Sequence, residues 1–121
     1  MLTVYHHPNC SSCKKAIRWL ADAGVAHTLV DIRDTPPDAA TLAAANADLG
    51  GNVKKLFNTS GQSYRGGGWK DRLPNMSEAE AIAALADDGM LIKRPLAVGE
   101  RFAAGFKEAE WAERFARSAA R

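Results

Sequence analysis

The chain of 121 residues carries 16 basic and 14 acidic residues, a net charge of +2, and a hydrophobic fraction of 46%. This length suits one domain that is large enough to bury a hydrophobic core. The balanced charge gives no indication of direct binding to nucleic acid or to an anionic membrane. No apolar stretch approaches the roughly 20 residues of a membrane span, and the N-terminus has no basic leader. We therefore expect a cytosolic protein, and a monomer because no heptad or long exposed apolar stripe is visible.

The first third of the sequence predicts a β-α-β unit. Residues 2–5 alternate between apolar and polar as a strand does, and a loop is expected over 6–12. From Cys13 the apolar residues fall at helical spacing, and they stop at Gly24, where a left-handed helix end favours glycine. A second strand is expected over 26–32.

The middle of the chain predicts a helical block. Helices are expected over 39–49, over 53–57, and from a Ser77/Glu80 capping box to about residue 87. The three glycines at 66–68 predict a mobile loop between helices, with Trp69 partly exposed beside them.

The last third predicts a β-hairpin followed by a helix. Residues 90–98 are largely apolar, and Pro95 fits only the first position of a strand there. A turn and a strand over 101–104 complete the hairpin, and a final helix is expected over 107–119. The core contacts expected near this helix are Phe106, Trp111 and Phe115.

This order of elements fits an α/β fold with a thioredoxin-like mixed four-stranded sheet. We expect one domain, 1–121, whose core covers about 1–34 and 90–121. The residues at about 35–89 would form an inserted helical lobe.

Cys10 and Cys13 are the only cysteines, and two residues separate them where the first strand gives way to the first helix. The thiolate is the reactive form of cysteine, and unpaired N–H groups of a first helical turn stabilise an anion there. Cys10 is therefore predicted to be the nucleophile, and Cys13, one turn further on and less exposed, the resolving thiol. Lys14 opposes the helix dipole at this end but suits a bound anion.

Other interpretations of the pair remain open. The two cysteines could be reduced and inert, or they could bind zinc together with His6 or His7. Two adjacent histidines and a single CxxC make a poor tetrahedral set, so no metal site is predicted. If they bind no zinc, the histidines are loop residues, and either could alter the reactivity of the Cys10 thiolate. The same helix start, including Ser11 and Ser12, could instead bind an oxyanion such as arsenate while Cys10 attacks it.

Two later segments carry further candidate residues. In a thioredoxin-like fold Pro95 would face the cysteine loop after a cis peptide bond, and Arg94 could reach a bound anion with its fork of N–H groups. The alternative is a solvated arginine before an edge-strand proline. The polar stretch 58–65 is either a capped helix connection or brings Asn58 or Arg65 to the rim of the site.

These segments, in this order, resemble the arsenate reductase-like branch of the thioredoxin superfamily, which also holds the Spx-type transcription regulators. The matching segments are 10–16, 56–65, 89–96 and 105–108. The resemblance implies the inserted helical lobe, a cis Pro95 and Cys10 as first nucleophile. In the glutaredoxin-coupled reductases of this branch, three arginines hold the oxyanion. Here Arg94 matches one of them, and the other two positions fall at Asn58 and near Gly105.

The cysteine pair and the resemblance together predict a thiol-disulfide oxidoreductase similar to arsenate reductase. Its substrate would be a small oxidised molecule or a protein disulfide, with no bound cofactor. Glutathione, glutaredoxin or thioredoxin would restore the dithiol. The alternative is an Spx-type redox switch that binds the C-terminal domain of the RNA polymerase α subunit. The polar stretch and the three glycines resemble reductase-like relatives more than the regulators, which favours the enzyme.

Overall fold

The computed structural model describes residues 2–119, and the side chains of residues 2–116. A mixed four-stranded sheet lies at its centre in the order β2-β1-β3-β4. The strands are β1 (Leu2–His6), β2 (His27–Asp31), β3 (Leu96–Val98) and β4 (Phe102–Ala104). β1 is parallel to β2 and antiparallel to β3, which is antiparallel to β4. The predicted mixed sheet is thus confirmed.

Helices account for most of the remaining described residues. The α-helices are α1 (Ser11–Asp22), α2 (Ala39–Asp48), α3 (Gln62–Gly66), α4 (Trp69–Arg72), α5 (Glu78–Asp87) and α6 (Glu108–Ala119), and 3₁₀ turns cover Val53–Leu56, Leu73–Asn75 and Gly89–Leu91. α5 begins with the predicted capping box: the Glu80 N–H donates to Ser77 Oγ at 3.1 Å, and the Ser77 N–H donates to the Glu80 carboxylate at 2.9 Å. Within the described part of the chain, no helix combines the length and apolar character that crossing a bilayer requires.

Two hydrophobic clusters pack against the sheet. Successive strand residues point to opposite faces, so Leu96 joins one cluster and its neighbour Ala97 joins the other. The Leu96 cluster is built mainly by α2 to α5 and the turns between them. The Ala97 cluster contains residues of α1 and α6, including the fully buried Trp111. Helices therefore cover both faces of the sheet.

The predicted bounds of the longer elements hold to within two residues, but the prediction for the three glycines was wrong. Gly66 ends α3, and Gly68 turns the chain into α4 with φ of +66°, a left-handed conformation that favours glycine. Trp69 is buried rather than partly exposed, and its ring centroid lies 5.9 Å from that of Phe57. Burial of the aromatic side chains on either side of the glycines holds this segment in two helical turns.

Asp48, the last residue of α2, connects the helical block to the hairpin and to α6. Its carboxylate accepts hydrogen bonds from Arg101 Nε at 3.2 Å, from the Phe102 N–H at 2.9 Å and from Arg114 Nη1 at 3.3 Å. Burial acts to raise the pKa of Asp48, but the hydrogen bonds from Phe102 and Arg101 and the charges of both arginines outweigh it. The pKa is therefore lower than usual for an aspartate.

We expect Asp48→Asn to lower the free energy of unfolding by about 1–2 kcal/mol near neutral pH, because a partly buried charged acceptor is lost. The folded-state pKa is depressed, so this stabilisation is present above the unfolded-state pKa and disappears as pH falls through the folded-state value. Urea denaturation of both proteins across the acid range measures the difference. Asp22→Asn, which removes an exposed carboxylate with no partner in the described residues, is the control. A constant difference at every pH would contradict this assignment.

Candidate functional site

A tight turn leads from β1 into α1 and presents Cys10. The Cys10 N–H donates to the His7 carbonyl at 3.1 Å, and the Asn9 N–H donates to His7 Nδ1 at 3.0 Å. Cys10 has an extended backbone and is the N-cap of α1, with its Sγ accepting the Cys13 N–H at 3.1 Å. Because the sulfur caps the helix, α1 begins at Ser11, two residues before the predicted start. Ser11 and Ser12, expected in a loop, belong to its first turn.

The two cysteines have different surroundings. Cys10 is partly exposed, whereas Cys13 is fully buried, which confirms that Cys13 is the less exposed of the two. Both are free thiols. Burial raises the pKa of Cys13 to about 12, and a hydrogen bond between the two cysteine side chains acts in the same direction. Cys13 is therefore a neutral thiol near pH 7, whereas the partly exposed Cys10 sulfur accepts the N–H group at the start of α1.

His7 is the other ionisable group of this turn. Desolvation, followed by the positive charges of Arg33 and Arg94, lowers its pKa below the usual value for histidine. A neutral ring is also what Nδ1 needs in order to accept the Asn9 N–H. Within residues 2–119, no three His, Cys, Asp or Glu side chains are grouped so that they could hold a metal ion.

Arg94 lies close to the cysteine turn. The peptide bond between Arg94 and Pro95 is cis, as predicted. The charge of Arg94 influences the pKa of both His7 and Cys13, and its Nη1 donates to the Met90 carbonyl at 3.4 Å. Its Nε is buried and has no hydrogen-bond partner in the described residues. A buried guanidinium N–H without a partner, beside a helix N-terminus, is suited to an anion.

A groove of about 470 Å³ extends from Ser12 past Arg94 to α6. Its basic lining residues are Lys55, Lys93, Arg94, Lys107 and Arg114. Arg114 is neutralised by Asp48 and by Glu110, with N–O distances of 3.3 and 3.7 Å. The three lysines form no ion pair within the described part of the chain. We call this surface the basic groove.

Gly105 shapes one edge of the basic groove. Its N–H donates to the Pro95 carbonyl at 2.9 Å, and its own carbonyl accepts from Trp111 Nε1 at 3.0 Å. Gly105 has φ of +79°, and a Cβ added there would lie 2.7 Å from Lys93 Cε. The side chain of Lys93 thus occupies the space that a larger residue at position 105 would need.

The structure brings together only some of the residues predicted from sequence. Ser12 and Arg94 line the groove, and both cysteines lie at the start of α1. Pro95 does not line the groove, but its carbonyl accepts a hydrogen bond from Gly105, which does. Lys14 is exposed on α1 and does not line the groove. The Asn58 N–H donates to the Leu91 carbonyl at 2.7 Å, and among residues 2–119 no hydrogen bond joins Asn58 to the cysteine turn.

Sequence analysis did not select the groove lysines. The available signal was modest: Lys93 interrupts an otherwise apolar run beside Arg94. Lys55 and Lys107 lie far from it in the sequence and reach the same groove only in the folded chain.

We expect Cys10 to react with iodoacetamide near pH 7 while Cys13 stays unmodified in the native protein. A thiol with a pKa of about 12 is ionised to only about one part in 10⁵ at that pH, and burial also blocks access to it. Mass spectrometry of the wild type, Cys10→Ser and Cys13→Ser measures the modification at each site. Alkylation of Cys13 in native Cys10→Ser at a rate similar to that of Cys10 would contradict the expected difference.

Comparison with known proteins agrees with this geometry. The ArsC family model matches residues 5–114. The uncharacterized protein YusI of Bacillus subtilis is 44% identical over 116 residues, which cover 95% of this chain and 98% of YusI. An arsenate reductase of Rhizobium meliloti is 30% identical, over 80% of this chain and 68% of that protein.

A solved structure, that of a possible arsenate reductase from Streptococcus mutans, has a TM-score of 0.83 and 45% identity. The match covers 88% of this chain and 92% of that one. The thioredoxin-like fold predicted from the sequence is therefore confirmed. The family match and these relatives together show that the chain belongs to the ArsC family.

Proposed function

We propose that the chain is a thiol-disulfide oxidoreductase in which Cys10 is the nucleophile and Cys13 the resolving thiol. The observation that supports this most directly is the 3.1 Å hydrogen bond from the Cys13 N–H to Cys10 Sγ at the start of α1. It stabilises a thiolate at a partly exposed position and keeps a second, protonated thiol in hydrogen-bond contact with it.

The exchange proceeds in two steps. The Cys10 thiolate attacks one sulfur of a substrate disulfide, so that a mixed disulfide forms and one substrate thiolate leaves and takes up a proton. Cys13 then gives up its proton and attacks Cys10 Sγ, which releases the second substrate thiol and leaves a Cys10–Cys13 disulfide. Two electrons pass to the substrate, and two external thiols return them.

The neighbouring residues support this exchange electrostatically. Arg94 adds positive charge beside the cysteine turn, and the backbone N–H groups of Ser11 and Ser12 lie at the positive end of α1. No bound cofactor is required. Glutathione, glutaredoxin or thioredoxin would supply the external thiols, and a reducing compartment such as the cytosol would keep the pair ready to react.

Arsenate is a second candidate substrate. The buried, unpartnered Arg94 Nε favours it, because this N–H group could donate to an oxyanion attacked by Cys10. Two thiols and arsenic acid would give arsenous acid, water and one disulfide. By the sequence resemblance, the other two arginine positions of the glutaredoxin-coupled reductases fall at Asn58 and near Gly105, so we rank disulfide exchange first.

We expect Cys10→Ser to lower the rate at which glutathione reduces bis(2-hydroxyethyl) disulfide by at least about 100-fold, since the only accessible thiol is gone. Cys13→Ser should accumulate a mixed disulfide at Cys10, visible as an added mass, because the resolving thiol is missing. The consumption of NADPH by coupled glutathione reductase measures turnover, with arsenate assayed in parallel. Ser60→Ala, at an exposed position with no side-chain hydrogen bond in the described residues, is the matched control.

Full activity of Cys10→Ser would overturn the proposal. The wild-type protein could instead form the Cys10–Cys13 disulfide once and not be reduced again by any of the three donors. That result would rule out catalytic turnover and favour the redox switch.

A further inference from the structure

The basic groove, which begins at Ser12 in the first turn of α1 after Cys10, is larger than a compact anion requires. A water molecule takes up about 30 Å³, so an anion with four oxygens needs roughly 120 Å³. The groove encloses about 470 Å³ and extends from Ser12 to α6. This volume accommodates an extended ligand that lies along the groove with one end at Ser12, in the helical turn that Cys10 caps.

The charge of the groove is largely uncompensated. Lys55, Lys93 and Lys107 form no ion pair in the described residues, and Glu110, the acidic residue that lines the groove, lies against Arg114. The bridge between Phe57 and Ile92, with the Lys93 N–H donating to the Leu56 carbonyl at 2.7 Å, holds Lys55 and Lys93 near each other. Crowded like charges destabilise a fold, and an anionic ligand would remove this repulsion.

The groove also has an apolar component. Leu49, Ala104 and Phe106 line it together with the basic residues. Lys93 extends its aliphatic chain over Gly105, which leaves the ammonium group at the end of that chain for a ligand. A groove lined by both cations and apolar side chains is complementary to a chain that carries carboxylates and aliphatic side chains.

We propose that the basic groove binds an extended acidic peptide segment of a substrate protein, with its carboxylates at Lys55, Lys93 and Lys107. The Ser12 end of the groove then places a disulfide of that protein beside Cys10. The identity of the reacting group rests on the proposed function, whereas binding of the peptide does not.

Fluorescence anisotropy with a labelled peptide tests this binding. The peptide alternates glutamate with aliphatic residues and has no cysteine, and a second peptide carries glutamine at each glutamate position. We expect saturable binding of the acidic peptide alone, and binding that weakens as salt screens the charges. Lys55→Glu and Lys107→Glu should each weaken it by about 10-fold, because attraction to a carboxylate becomes repulsion.

Lys54→Glu is the matched control, since Lys54 belongs to the same 3₁₀ turn as Lys55 and is exposed but does not line the groove. Its affinity for the acidic peptide should stay within about twofold of wild type. Circular dichroism checks that each variant is folded.

Equal affinity for the glutamine peptide, or an equal loss in Lys54→Glu and Lys55→Glu, would overturn the inference, because the groove would then contribute no specific site. Complete displacement of the peptide by an equimolar amount of arsenate would also overturn it in favour of a compact anion site. If the peptide binds as expected but Cys10 carries out no exchange, only the proposed function fails.

Discussion

The hydrogen bond from the Cys13 N–H to Cys10 Sγ is the interaction on which the site depends. One sulfur atom caps α1 and is also the predicted nucleophile. The same hydrogen bond therefore closes the first helical turn and holds the sulfur in position. The closed turn between His7 and Cys10 holds the sulfur at the end of β1. Reactivity is thus a property of the strand-to-helix junction as well as of the cysteine side chain.

An aromatic cluster packs between α1, α6 and the segment that follows β4. Trp19, Phe106, Trp111 and Phe115 have ring centroids between 5.2 and 6.5 Å apart in successive contacts. Trp111 also donates to the Gly105 carbonyl, and Gly105 donates to Pro95. Core packing therefore fixes the backbone that follows β4, where Lys107 joins the groove. The three groove lysines are exposed, but hydrogen bonds and core packing fix the backbone on either side of Lys107.

Local patterns in the sequence were sufficient to predict the sheet, the longer helices and the cysteine turn, because spacing and capping residues act over a few positions. The start of α1 was misplaced because cysteine is not among the usual helix caps. Trp69 was misjudged because its burial depends on packing against Phe57, twelve residues earlier. The groove could not be predicted for a similar reason. Its segments are distant in the sequence and are joined by the bridge between Phe57 and Ile92 and by the contact of Lys93 with Gly105.

The hydrogen bonds of Asp48 also connect two segments that line the basic groove. Leu49, directly after Asp48, and Arg114 of α6 both line the groove. The Asp48 carboxylate accepts a hydrogen bond from Arg114 Nη1, so this contact joins the end of α2 to α6 beside the groove. Because the pKa of Asp48 is depressed, its carboxylate remains charged throughout the neutral range. Moderate changes in acidity would therefore leave this connection between α2 and α6 intact.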